Sequence, residues 1–276
     1  MRQIRKKWVL AFEEHLRTGE KSKATVEKYR RAVRQFALFA AGRTVDKALV
    51  LAYRERLGRE YTPSGANAAL AALNGFLRFV GRSDCCVRPF KVQRTAYCPE
   101  EKELTKTEYA RLAEAAKGNR RLCLLLQTLC ATGIRVSELR HITAEAVRRG
   151  KAVVTCKGKT RVILLPGSLQ KKLSRYIRER QIAAGPVFVT RTGKPLDRSN
   201  IWREMKGLCA RAGVAPSKVF PHNLRHLFAT AFYRACKDIA KLADVLGHSS
   251  IETTRIYLVT SGTEHRKQLD RLGLIV

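Results

Sequence analysis

The chain has 276 residues, 45% of them hydrophobic, and its 55 Lys and Arg against 23 Asp and Glu give a formal net charge of +32 at pH 7. That apolar share is too high for a disordered polycation and suits one large domain or two ordinary ones. Self-repulsion of this size, spread over the whole length, points to a polyanionic partner, with nucleic acid ahead of an anionic membrane surface.

Other classes fall away on local grounds. The opening MRQIRKKWVLAF carries too short an apolar run for a signal peptide, and no stretch of about 18 apolar residues offers a membrane span. The eight cysteines are scattered, with Cys85 and Cys86 adjacent and no C-x-x-C pair, so a structural zinc site is not expected. The expectation is a reduced, cytoplasmic chain with free thiols.

The first 80 residues read as helices only. In SKATVEKYRRAVRQFALFA, the residues Val26, Tyr29, Val33, Phe36 and Phe39 recur at three- and four-residue steps on one face, with basic residues opposite. VDKALVLAYRERLG and TPSGANAALAALNGFLRFVG follow, the latter with a helix start at Thr62-Pro63 and a stop at Gly81. This predicts a helical bundle over 1–84. From 85 to 104 periodicity is lost and two prolines appear, which predicts a linker. At LTKTEYARLAEAA, Thr105 with Glu108 three residues later forms a capping box that opens a second domain, 105–276.

The second domain is mixed. RRLCLLLQTLCATG predicts an apolar helix stopped by Gly133, and RVSELRHIT a short helix. KAVVTCKGKTRVILLP predicts a β-hairpin with Lys157-Gly158-Lys159 at its tip. The helix GSLQKKLSRYIRERQ, the short strand PVFVT, the helix DRSNIWREMKGLCARAG and two more helices lead to a tail ending RLGLIV. The fold class is therefore mainly α, with one small antiparallel sheet.

GKT at 158–160 lacks the first glycine of a P-loop and lies in a hairpin, not before a helix. No paired carboxylates stand at metal-binding spacing, so any phosphodiester chemistry here must rely on the protein's own cations; no metal or other cofactor is expected. Cations of that kind occur in PHNLRHLFAT, where His222 and Arg225 share a helical face behind Pro221. A planar guanidinium at 225 suits non-bridging phosphate oxygens, although a capping histidine and a surface arginine would give the same spacing. DIAKLADVLGHSSIETTRIY also reads as a helix-turn-helix, with Gly247 in the turn and Ser249/Glu252 as a capping box. On that reading Thr253, Thr254 and Arg255 face bases, and His248 has no role.

Taken together, Arg135 in ATGIRVSELRHIT, Lys157 in CKGKTR, His222 and Arg225 in PHNLRH, His248 in LGHSS, and Tyr257 nine residues further on in TTRIY resemble the catalytic set of the tyrosine recombinases, the phage integrase family, in its compact Xer-like two-domain form. The resemblance covers 105–276 well and the first domain only in size and helical character. It implies attack by the Tyr257 hydroxyl on a DNA phosphodiester, giving a 3′-phosphotyrosyl link and a free 5′-hydroxyl. A tyrosine is only about one part in a thousand ionised at neutral pH, so this attack needs a proton acceptor and a strongly positive site.

In the resemblance, Arg135 and Arg225 hold the charge developing on the phosphate and Lys157 is the general acid, with Lys159 its alternate. His222 handles the nucleophile's proton and His248 donates to the phosphate. Glu138, three residues after Arg135, is placed to orient an arginine or a histidine; His226 supports by packing. The resemblance further implies a clamp on double-stranded DNA with specific sites, Lys28, Arg31 and Arg34 being candidates for backbone contacts. It also implies a homo-tetramer joined cyclically, alone or with a related recombinase or accessory proteins, and association with the nucleoid. The apolar tail is expected to dock into a neighbouring subunit. A type IB topoisomerase and a non-catalytic helix-turn-helix regulator are the alternatives.

Overall fold

Residues 1–94 and 95–276 form two units, each with its own core, in the computed structural model, which describes residues 4, 6–92, 97–98, 103–156, 159–257, 260–261, 266 and 270–272. The first unit is built from α1 (Lys6–Thr18), α2 (Lys23–Ala40), α3 (Lys47–Glu60) and α4 (Pro63–Phe79). Side-chain caps start three of them: Ser22, Asp46 and Thr62 each accept from the backbone N–H three residues on, which satisfies donors that a helix start leaves orphaned. The apolar stripe of α2 buries Val26, Val33 and Phe36 against Phe12, Tyr53, Leu73 and Phe76, while Lys28, Arg31 and Arg34 stay exposed on its other face.

The segment after α4, expected to start a linker, is zipped onto the bundle as far as residue 90. Asn74 donates to Val87 O at 2.8 Å and accepts from Val87 N at 3.0 Å; Asn67, two helical turns earlier, repeats the pattern with Phe90 at 2.9 and 2.7 Å. Each asparagine amide mimics a neighbouring strand and so satisfies extended backbone that has no ladder partner. Gly58 leaves room for the Phe90 ring, which would lie 2.9 Å from a Cβ at that position. Lack of periodicity marked this stretch as irregular, not as detached.

The second unit begins with β1 (Tyr97–Cys98), then α5 (Lys106–Ala115), whose Thr105–Glu108 capping box forms as expected. Next come α6 (Arg120–Thr132), a 3-10 turn over Val136–His141, α7 (Ala144–Arg149), and the hairpin of β2 (Lys151–Cys156) with β3 (Lys159–Leu164). The hairpin is antiparallel, in register from Lys151↔Leu164 to Cys156↔Lys159. After α8 (Gly167–Glu179), the stretch PVFVT makes only isolated bridges, Thr143↔Pro186 and Val189↔Pro195, instead of the expected strand.

The helix expected over 197–213 breaks at Gly207 into α9 (Arg198–Lys206) and α10 (Cys209–Ala212). α11 (Pro221–Cys236), α12 (Ile239–Leu246) and α13 (Ile251–Arg255) then carry the two opening motifs, and β4 (Thr260–Ser261) pairs in parallel with β1. α6 is buried through Leu124, Leu125, Leu126 and Leu129 and packs on α11, so one apolar column supports the ends of both helices where the polar residues collect. Mainly helical, with one small antiparallel hairpin, the architecture matches the class expected from the sequence. Among the described residues no helix is long and apolar enough to cross a membrane.

Candidate active site

The C-terminal end of α6 supplies the first part of the site. Gly133 caps the helix at φ +60°, a conformation that side chains other than glycine rarely adopt, and a Cβ there would stand 2.3 Å from the ring of Phe228. The turn leaves Gly133 O pointing at Arg225, whose Nη1 donates to it at 2.5 Å. It also sends the chain directly into Arg135 and the 3-10 turn. Glu138 closes a small loop there: its Oε2 accepts from Arg135 N at 2.8 Å and its Oε1 from Arg135 Nη1 at 3.0 Å. Burial pushes the Glu138 carboxyl upward, but the hydrogen bonds from Arg135 and Arg161 outweigh it and hold the group below its ordinary value, ionised.

Arg225 is buried in the first half of α11 and is nearly saturated by protein. Besides Gly133 O, it donates through Nη2 to Leu246 O at 2.9 Å, contacts His248 Nε2 at 2.8 Å, and donates through Nε to Tyr257 Oη at 3.4 Å. Arginine nitrogens only donate, so Nε2 of His248 is the acceptor and its hydrogen sits on Nδ1, facing Thr254 Oγ1 at 2.8 Å. Burial first, then the Arg225, Arg135 and Arg161 cations, drives the His248 pKa down to about 4, so the imidazole is neutral at pH 7. A hydrogen on Nε2, which donation to a phosphate requires, means a change of tautomer or protonation from the arrangement here.

Tyr257 is 3% exposed, yet its ring is bordered by imidazoles. His248 stacks on it with centroids 5.9 Å apart, His226 meets it edge-on at 5.1 Å, and His222 lies 6.3 Å away. Crowding by protein atoms, followed by the charges of Arg225, His226 and Arg198, pushes His222 below its ordinary value; burial does the same to His226, against a hydrogen bond with the Ile256 backbone. The apolar side of the Tyr257 pocket is Ala229, Leu242 and Leu246.

The structure therefore brings together Arg135, Glu138, His222, Arg225, His226, His248 and Tyr257. Lys157 lies outside the described residues, and Lys159 opens β3. Lys28, Arg31 and Arg34 belong to the first unit. The helix-turn-helix reading is corrected in its details. Ser250, not Ser249, caps α13, and Thr254 is fully buried instead of base-facing; only Thr253 and Arg255 are exposed. Sequence reasoning missed Thr254 and Arg161 as members of the site. Thr254 stands three residues before the tyrosine on a helix too short to show a period, and Arg161 looks like one more cation in a chain of 55.

Two guanidinium groups converge on the end of α12 beside a phenol bordered by imidazoles, and the chain belongs to the family whose order of residues it resembles: residues 102–263 match the phage integrase family, the tyrosine recombinases. It is similar to the tyrosine recombinase XerD of Xanthomonas axonopodis pv. citri, 32% identical with 91% of this chain and 90% of that protein covered. The crystal structure of a XerA recombinase shares 26% identity, with 96% and 97% coverage and a TM-score of 0.55. A lambda integrase tetramer bound to a Holliday junction, 16% identical over 91% of this chain and 76% of its own, has a TM-score of 0.73 and the same fold. The protein is an Xer-type tyrosine recombinase, an enzyme of site-specific recombination.

Proposed function

We propose that Tyr257 is the nucleophile, that Arg135 and Arg225 hold the scissile phosphate, and that DNA is cleaved and rejoined through a 3′-phosphotyrosyl intermediate. The single observation that supports these assignments is the meeting of Tyr257 Oη with Arg225 Nε, on a guanidinium that also contacts His248. A phosphate entering between Arg135 and Arg225 accepts charge-assisted hydrogen bonds from both guanidinium groups, and the phenol lies at the edge of that position. His222, the more solvent-accessible imidazole, takes the phenolic proton, and Lys157 protonates the departing 5′-oxygen, with Lys159 as its alternate. His226 and Glu138 hold the tyrosine segment and Arg135 in place.

The partner in this reading is double-stranded DNA with specific sites, gripped in part by Lys28, Arg31 and Arg34. The active assembly is a homo-tetramer, alone or with a related recombinase or accessory proteins, acting in the cytoplasm on the nucleoid. The tetrameric form of the similar lambda integrase supports this reading. So does the +32 charge.

A duplex nicked beside the cleavage position tests the chemistry. Wild type becomes trapped in a denaturant-resistant adduct and Tyr257→Phe does not, while both bind the duplex. Equal binding with no trapping by either protein defeats the assignment. Recombinant joints between two marked duplexes separate a recombinase from a type IB topoisomerase, which gives relaxation alone.

A further inference from the structure

Three consecutive carbonyls at the end of α12 each receive a different arginine. Val245 O accepts from Arg161 Nη1 at 2.6 Å, Leu246 O from Arg225 Nη2 at 2.9 Å and Gly247 O from Arg135 Nη2 at 3.4 Å. A helix C-terminus leaves such carbonyls unpaired and carries partial negative charge, so it can gather cations that would otherwise repel one another. Two of the three arginines are those assigned to the phosphate. The third, Arg161, comes from β3 and has no part in that assignment.

Its side chain is 13% exposed, and its two hydrogen bonds go to protein groups. Nη1 is spent on Val245 and Nη2 on Glu138 Oε2, at 2.5 Å; Nε is buried without a hydrogen-bond partner. The side chain lies against Gly247, where a Cβ would stand 2.3 Å from Arg161 Cδ, so the glycine that turns the chain at φ +64° also makes space for this arginine. Arg161 thus joins three elements: the hairpin, the 3-10 turn through Glu138, and the α12 end.

The charge balance gives that bridge a chemical consequence. Glu138 bonds both Arg135 and Arg161. Paired with Arg135 alone it would cancel that guanidinium; shared between two arginines it leaves one net positive charge beside Arg225.

We propose that Arg161 is a positioning residue of the strand-transfer site: it takes up the charge of Glu138 and pins β3 to the α12 carbonyls, so that Arg135 keeps an uncancelled charge for the phosphate, in line with Arg225. This rests on the assignment of Arg135, Arg225 and Tyr257 made above.

The test is single-turnover adduct formation on the nicked duplex, with duplex affinity and thermal melting measured alongside, for wild type, Arg161→Lys, Arg161→Gln, Glu138→Gln and the double variant Arg161→Gln/Glu138→Gln. Arg161→Gln slows adduct formation about 100-fold while affinity changes no more than about threefold, the scale of losing one preorganised electrostatic group. Arg161→Lys keeps the charge and recovers about tenfold of that loss.

The double variant is faster than Arg161→Gln by about tenfold, because the carboxylate no longer cancels Arg135. A brace that only holds the fold gives the opposite order: the double variant is the slowest, and rates follow melting temperature. That order overturns the proposal, as does an Arg161→Gln enzyme as fast as wild type. If the glutamine variant does not fold, a folded Arg161→Lys that is slowed 100-fold or more overturns it too. A wild type that gives no adduct brings down the strand-transfer assignment and this proposal together, whereas a wild-type adduct with the reversed order brings down the proposal alone.

Discussion

Thr254 Oγ1 lies 2.8 Å from Nδ1 of His248, and Thr254 is fully buried three residues before Tyr257. Arg225 Nη2 donates to the other ring nitrogen and so leaves the hydrogen of His248 on Nδ1, where this hydroxyl accepts it. It also ties the imidazole to the helix that delivers the tyrosine. Thr254→Val keeps the shape and removes the acceptor. Single-turnover cleavage is expected to fall about tenfold or more with duplex affinity unchanged, the scale of a disturbed proton-handling group. Thr254→Ser is expected to restore most of the rate; a serine enzyme as slow as the valine one would show that the hydroxyl is not the operative group.

Arg225 links the proposed chemistry to stability. Its guanidinium supplies partners to Gly133 O and Leu246 O as well as to His248 and Tyr257. Arg225→Gln is expected to lower adduct formation by about 10³-fold or more, as for other cations on a transferring phosphoryl group. Each buried carbonyl left without a donor costs about 1–3 kcal/mol, so the urea midpoint of the second unit should also drop. An adduct rate within tenfold of wild type would exclude Arg225 from holding the phosphate.

The histidines make stability depend on pH in one direction. The folded pKa of His248 is about 4 against an ordinary 6.5, and those of His222 and His226 are also lowered. The folded state therefore binds fewer protons than the unfolded chain between these values. Its stabilisation is fully present above the unfolded pKa and is lost as pH falls toward 4. Urea midpoints are expected to decrease from pH 7 to pH 4.5, with a shallower decrease in His248→Gln. Parallel curves for the two proteins would show that His248 is not protonated only on unfolding.

Gly133 is fixed twice, by its φ of +60° and by the Phe228 ring. Gly133→Ala is expected to cost about 1–2 kcal/mol for the left-handed backbone, and a further 1–3 kcal/mol for overpacking, unless the ring moves. Since Gly133 O holds Arg225, cleavage should fall with stability, and a smaller residue at 228 should return part of both. Melting and adduct rates on Gly133→Ala and on Gly133→Ala/Phe228→Leu check this.

The strap after α4 has a different signature. Asn74→Ala removes the pair of hydrogen bonds that hold Val87 and is expected to destabilise the first unit by about 1–3 kcal/mol. Protease cleavage within residues 85–90 should accelerate. Unchanged cleavage kinetics would mean that the strap does not depend on Asn74.

The sequence by itself determined the class of the molecule and pointed to most of the residues that the structure gathers around Tyr257. Periodic apolar residues, the Thr105–Glu108 box and the Gly133 stop are local signals, read within one or two helical turns, and they gave the helices, their ends and the hairpin. The order Arg135, His222, Arg225, His248, Tyr257 was legible because histidine and tyrosine are scarce, 6 and 8 residues, and because the motifs that carry them follow one another in a fixed succession along the chain, which holds information that spacing within one helix does not.

Only the tertiary structure decided how far the first unit extends and which polar groups act together. Asn67 and Asn74 look like ordinary polar residues of an alanine-rich helix until extended backbone lies beside them. Arg161 and Thr254 likewise acquire a role only when α12 brings Val245, Leu246 and Gly247 up to three arginines from three different elements. Hydrogen bonds between residues 21 to 112 positions apart depend on how the chain is packed. No local pattern of residues encodes them.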